Sequence, residues 1–351
     1  MRAFLLSVTA AAAAAMAAAA ASGQPAPAQN DPPQLAEIAR YSAFKDSSLA
    51  RLSKVLTLPD TWSFRPAVAG GGTVSINLSK TLYSSSDSAV AQQWADFFAG
   101  LVHGSELSAL RAYILAPGEI DSICGREALA CYGGDRLLTP AEDPSANLSA
   151  EAVATHEYGH HVANHRLNSP WDALDYGTKR WASYMQVCRK ARAGQLYPGA
   201  EDQQRYELNP GEGFAESYRV LNERQAGLTE APWSIVTGEL YPDSTALALL
   251  EQDVTSPWAK PTSVVRTGSV SKAAPNRSFV VSTPLDGTLR LTLRSAARLR
   301  FDLFTPSSAR VAHRIGRSAS ISTVACGERA FRIRLSWVSG AGSFHLTISR
   351  P

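Results

Sequence analysis

Residues 155–160, Thr-His-Glu-Tyr-Gly-His, put two imidazoles and a carboxylate within little more than one helical turn. Positions four apart on a helix share a face, so His156 and His160 can both reach one metal ion at ~2.0–2.1 Å. Glu157, rotated by about 100°, can take a proton from a water at that ion without ligating it. Two ligands and a general base on one turn point to metal-assisted hydrolysis. Four of the seven histidines fall within residues 156–165, a concentration that a merely solvated helix does not require.

A catalytic zinc takes three protein ligands and keeps one position open. His165 follows His160 by five residues, a step that turns it off the ligand face, and His161 points elsewhere. A better source is Asn209-Pro-Gly-Glu-Gly-Phe-Ala-Glu216. Pro210 suits the first turn of a helix, and Glu212 and Glu216 then stand at i and i+4 on one face. One can ligate zinc while the other orients a ligand histidine. The spacing leaves both assignments open.

His156-Glu157-x-x-His160, followed some fifty residues later by Glu212-Gly-Phe-Ala-Glu216, resembles the gluzincin-like metallopeptidases of the anthrax lethal factor and Pro-Pro endopeptidase group. The resemblance covers roughly residues 110–225 and implies a zincin-like catalytic domain. It makes Glu212 the third zinc ligand and Glu216 the residue that supports a ligand histidine. The group also places a tyrosine seven residues before that ligand to hold the oxyanion. That position is Arg205 here, and Tyr206 beside it takes the role with a one-residue shift. The metzincin pattern does not fit, because it needs glycine and histidine where the chain has Ala163 and Arg166.

These residues need a scaffold. Apolar spacing and caps predict strands over 73–78 and 112–116 and helices over 89–102, 149–164, 171–193, 210–222 and 244–254. A further helical stretch precedes Val55. Strands first and helices after read as an α+β domain spanning residues 34–258. The strand carrying Ala130-Cys131-Tyr132 is either an edge that pairs with an extended peptide or an ordinary buried strand. Beyond Ser256-Pro-Trp-Ala-Lys-Pro-Thr262 the period changes to two. Leu289, Leu291 and Leu293 alternate with Arg290, Thr292 and Arg294, and similar runs follow at 299–303, 331–337 and 344–348. Residues 262–351 therefore read as a small antiparallel β-sandwich. It weakly resembles the bacterial pre-peptidase C-terminal domain.

The 351-residue chain has a net charge of only +3, but the charge is unevenly placed. From Thr262 onward 14 Arg and Lys face 3 Asp and Glu, whereas the remainder holds 20 against 28. An acidic body is joined to a basic tail. The tail's arginines can either meet an anionic cell-envelope polymer or dock on the acidic body. No nucleic-acid-binding motif accompanies them. Met1-Arg2 followed by an alanine-rich apolar run to Ala21 reads as a signal peptide over 1–22, with a Pro-rich linker over 23–33. The mature chain is then expected to lack a transmembrane segment and to be secreted or periplasmic. Cys124 and Cys131 lie seven residues apart and are expected to pair in that oxidising setting, with Cys188 and Cys326 left paired or free.

Together these readings describe an exported zinc endopeptidase acting on protein or peptide substrates. Two rivals remain: a cell-envelope binding protein with a degenerate metal helix, and a zinc amidase trimming peptidoglycan peptides.

Overall fold

The computed structural model describes residues 58–126, 128–200 and 205–351. The expected leader, linker and first helix lie outside the described residues. The architecture is α+β, with a mixed sheet and its helices followed by a curled antiparallel sheet.

The first sheet runs β1 (Thr61–Phe64), β2 (Ser75–Ser79), β3 (Arg111–Leu115), β5 (Arg136–Pro140), β4 (Cys131–Gly133) in spatial order. β2, β3 and β5 are parallel, and β1 and β4 are antiparallel edges. Parallel neighbours need a crossover, which α1 (Ser88–Gly100) supplies between β2 and β3. Strands and helices thus interleave, rather than following one another as the sequence order suggests. Alternating side chains face opposite layers. Ala112, Ile114 and Leu137 join the main core with α1, while Leu115 and Leu138 pack with α2 (Pro117–Cys124) on the other face. The Cys124–Cys131 disulfide ties α2 to edge strand β4 inside that smaller core. A two-residue turn at Gly134-Asp135, both with positive φ, joins β4 to β5.

Two long helices carry the candidate site residues. α3 (Ala150–Asn164) starts at Ser149, whose side chain accepts the Ala152 N–H at 3.0 Å. Every residue from Ala152 through Ala163 is buried. Next comes the stretch read as one helix over 171–193, which the structure corrects. Gly177 (φ 75°) and Gln186 (φ 58°) are left-handed and cut it into α4 (Ala173–Tyr176), α5 (Lys179–Tyr184) and α6 (Val187–Arg192). α7 (Pro210–Gln225) is capped by Asn209, whose Oδ1 accepts the Gly211 N–H at 3.0 Å. α8 (Ser244–Thr255) closes the core.

The basic part contains β6 (Thr262–Val270), β7 (Asn276–Ser282), β8 (Gly287–Phe304), β9 (Arg310–Ala325), β10 (Ala330–Ser339) and β11 (Gly342–Arg350). One six-stranded sheet holds them all. The first half of β8 pairs with β11 and the second half with β10, while β9 follows β8 along its length with a register shift between Arg294 and Leu299. The two layers expected of a sandwich are therefore two halves of one sheet, folded where β8 bends. Leu291, Leu293, Phe301, Leu303, Leu335, Phe344 and Leu346 fill the space between them.

This second core is fastened to the first at α5 and α6. Cys188 is disulfide-bonded to Cys326, which resolves the pairing that spacing left open. The Arg329 guanidinium donates to Asp286 at 2.6 Å and to the Ser183 carbonyl at 2.6 Å, and the Ser183 hydroxyl accepts the Asp286 N–H at 2.9 Å. Lys179 is buried beside Gly287, its ammonium donating to the Ser169 carbonyl at 2.7 Å and lying over the Trp258 ring.

Candidate metal centre

α3 and α7 cross at Gly159 and Ala215, two small residues that allow the backbones to approach. The crossing brings His156, His160 and Glu212 to one point. The two Nε2 atoms lie 3.2 Å apart, and each faces the same Glu212 oxygen, at 3.2 and 3.3 Å. A tetrahedral ion with bonds of ~2.0–2.1 Å has donor edges of roughly 3.3 Å. The three donors thus already stand at the separations such an ion requires, and this buried group can hold a metal ion.

The supporting contacts agree. His156 Nδ1 faces Glu216 Oε1 at 3.0 Å. A carboxylate can only accept, so the proton sits on Nδ1 and Nε2 is turned to the centre. Glu216 is in turn held by the Arg219 guanidinium, which also donates to Glu223 at 2.6 Å. All these groups are buried. Neither Arg219 nor Glu223 was expected as part of the site. Their signal was present in Glu216, Arg219 and Glu223, spaced i, i+3, i+7 along one face of α7.

The electrostatics favour a cation. Burial opposes a charge on His156, but hydrogen bonds to Glu212 and Glu216, with the nearby Glu157 charge, hold its proton up to about 10. Burial likewise opposes the Glu212 and Glu216 charges. His160 and His156 nevertheless keep Glu212 well below the usual carboxylate range, and Arg219 and His156 do so for Glu216. The pull that keeps a proton on His156 is the pull an incoming metal ion would exploit by displacing it. Glu157 is buried next to these groups. Burial foremost, aided by Glu212 and Glu216 against the two histidines, pushes its carboxyl up to about 7.

Tyr206 lies in a short 3₁₀ turn (Tyr206–Leu208) and its hydroxyl donates to Glu212 Oε2 at 2.8 Å. The one-residue shift does bring it to the site, where it contacts the donor oxygen itself. Arg205 stays away from the centre, with its guanidinium over the Tyr197 ring. His161 and His165 face elsewhere, toward Glu106 and Asp135.

β4 ends its sheet, as a peptide-pairing edge would, yet all three of its residues are buried. The six arginines at 290, 294, 298, 300, 332 and 334 are exposed on the curled sheet, and it is Arg329 that joins the two cores. Among the described residues no helix is long and apolar enough to cross a membrane.

No protein-family model and no curated protein matches the chain. Solved structures with some likeness include the pre-peptidase C-terminal domain of collagenase from Bacillus anthracis, at 12% identity, covering 24% of this chain and 87% of that one with a TM-score of 0.22. The Yersinia pseudotuberculosis-derived mitogen matches at 10% identity, over 26% and 87%, with a TM-score of 0.22. Aeromonas hydrophila PliG, a periplasmic lysozyme inhibitor, matches at 10% identity, over 26% and 86%, with a TM-score of 0.20. At these scores the likenesses carry no weight for function.

Proposed function

We propose that this chain is an exported zinc-dependent endopeptidase of the zincin type. The convergence of His156 Nε2, His160 Nε2 and one Glu212 oxygen, with Glu157 beside them, carries the reading. Two imidazoles and a carboxylate suit zinc, which when bound supplies Lewis acidity to the scissile carbonyl and to the attacking water.

The chain's own groups do the rest. Glu157, buried beside the donors, accepts the proton of the attacking water and passes it to the leaving amine. Tyr206 exchanges its bond to Glu212 for one to the developing oxyanion. Glu216, braced by Arg219, keeps His156 in the required tautomer.

Export rests on the alanine-rich leader and on two formed disulfides, which suit an oxidising compartment. The exposed arginine rows of the curled sheet supply a surface for anionic envelope polymer. The test is zinc content together with casein digestion, with and without a chelator. Bound zinc and chelator-sensitive cleavage support the proposal, and a zinc-free chain or chelator-resistant cleavage rejects it.

A further inference from the structure

A second cluster of metal-type ligands lies on another face of α3. His161 and His165 are one turn apart and meet Asp135 from the β4–β5 turn, with all three donor atoms within 4.8 Å of one another. Asp135 Oδ1 is 2.8 Å from His165 Nε2 and 3.8 Å from His161 Nδ1. These distances bracket the roughly 3.3 Å donor edge of a tetrahedral ion with ~2.0–2.1 Å bonds.

The arrangement has further marks of a built site. His161 is fully buried, and its Nε2 faces the Glu106 carbonyl at 2.9 Å. A carbonyl only accepts, so Nε2 carries the proton and Nδ1 is the atom with the lone pair, 3.8 Å from Asp135 Oδ1. A metal-ligating histidine is commonly fixed by such a bond. The Tyr132 hydroxyl, which accepts from the Asn164 amide at 3.0 Å, donates to the same Nδ1 at 3.0 Å, a bond that an incoming ion would displace. Asp135 sits at φ 66°, a left-handed conformation that aspartate tolerates. The His165 and Asp135 side chains are 30% and 35% exposed, which leaves a path for an ion and its waters.

We propose that Asp135, His161 and His165 form a second divalent-metal site, of the imidazole–carboxylate class that takes zinc, which clamps the β4–β5 hairpin to the C-terminal turn of α3. Two imidazoles and one carboxylate suit a borderline ion rather than calcium or magnesium. The site shares no ligand with the α3–α7 centre and stands whether or not that centre is catalytic.

Zinc is the probe. The full chain is stripped with chelator, re-equilibrated with zinc and analysed for metal per chain. The wild type is expected to hold about two ions, and His165→Ala, Asp135→Asn and His160→Ala about one each. The His160→Ala/His165→Ala pair should hold almost none. Zinc should also raise the melting temperature of His160→Ala, and this increment should vanish in the double variant. Asp135→Asn keeps a residue that tolerates the left-handed conformation, and the side chains of Asp135 and His165 are partly exposed, so neither substitution empties a core. Two ions in the wild type that persist in His165→Ala and Asp135→Asn would overturn the proposal. So would a single ion lost in His160→Ala and untouched in His165→Ala. Zinc that survives His160→Ala but not His165→Ala supports this site while rejecting the α3–α7 centre.

Discussion

Gly159 of α3 faces Ala215 of α7 so closely that a β-carbon on Gly159 would lie 2.8 Å from the Ala215 Cα. The obstacle is backbone, which cannot swing aside like a flexible side chain. The residues that could hold a metal ion come from both helices, so their convergence depends on this close crossing. Gly159→Ala should separate α3 from α7, with a stability loss of ~1–3 kcal/mol from overpacking. Zinc content after dialysis should fall with it. A Gly159→Ala chain with wild-type zinc content and melting temperature would mean that the crossing does not set the site.

Glu157 is beside the donors but is not one of them. Glu157→Gln should therefore retain zinc at the α3–α7 centre and lose peptide hydrolysis by at least ~10²–10⁴-fold, the usual worth of a general base. Metal analysis and peptide turnover on the same preparation make the check. Loss of the metal would reassign Glu157 as a ligand.

Glu212 and Glu216 make different contacts, and their variants should differ accordingly. Glu212 offers the oxygen shared by both Nε2 atoms, whereas Glu216 holds only His156 Nδ1. Glu212→Ala should nearly abolish binding at this centre, while Glu216→Ala should weaken it ~10–100-fold. Titration with a competing chelator measures both. Reversed magnitudes would exchange the two roles.

The contrast between these helices and the rest shows what a sequence displays. α3 and α7 were readable because Ser149 and Asn209-Pro210 mark their starts and because ligand spacing has the helical period. Asp172 to Arg192 was not, since Gln186 adopts φ 58° without being glycine, and apolar spacing carries no sign of that. In the basic part, β8, β10 and β11 alternate in burial and were visible. β6 and β9 are mostly exposed, anchored in the core by little more than Val270 or Ile321 and Ala325, so their pattern lacks a period. His156, His160 and Glu212, which the structure brings together, were picked out by spacing and resemblance. The Arg219–Glu216 support needed the fold, because a charged i, i+3 pair reads equally well as a solvated surface.

Lys179 gives the junction a pH signature. Burial lowers its value to about 8 from 10.5, against the pull of Asp286 and Asp253. Between those two values the unfolded chain holds a proton that the folded chain has released. Stability must then rise with pH across the window, by about 3 kcal/mol from this group, and the buried ammonium costs that amount below about 8. Lys179→Met removes the titration. The stability of Lys179→Met relative to wild type should therefore be greatest near neutrality and decline from about pH 8 toward 10.5. Chemical denaturation of both chains at four or five pH values decides it, and a flat difference would mean the ammonium is solvated.

The curled sheet poses the last question, whether it is a detachable module or part of the body. Its fastening argues for the body. The Cys188–Cys326 bridge closes a 138-residue separation, and Arg329, Asp286 and Ser183 form a buried or half-buried bonded set beside it. A chain ending near Trp258 would leave the Ser183 carbonyl without Arg329 and uncover α5 and α6. It should melt at a lower temperature than the full chain. Cys188→Ala/Cys326→Ala should reproduce about 2–5 kcal/mol of that loss. The exposed arginines at 290, 294, 298, 300, 332 and 334 take no part in this docking and are left to meet an anionic surface. Pelleting on isolated envelopes should therefore follow the curled sheet and weaken with salt, because exposed charges are screened over about 8 Å at physiological ionic strength. A truncated chain with an unchanged melt would show that the fastening contributes no stability. Salt-insensitive pelleting, or pelleting retained after truncation, would take the arginine rows out of envelope binding.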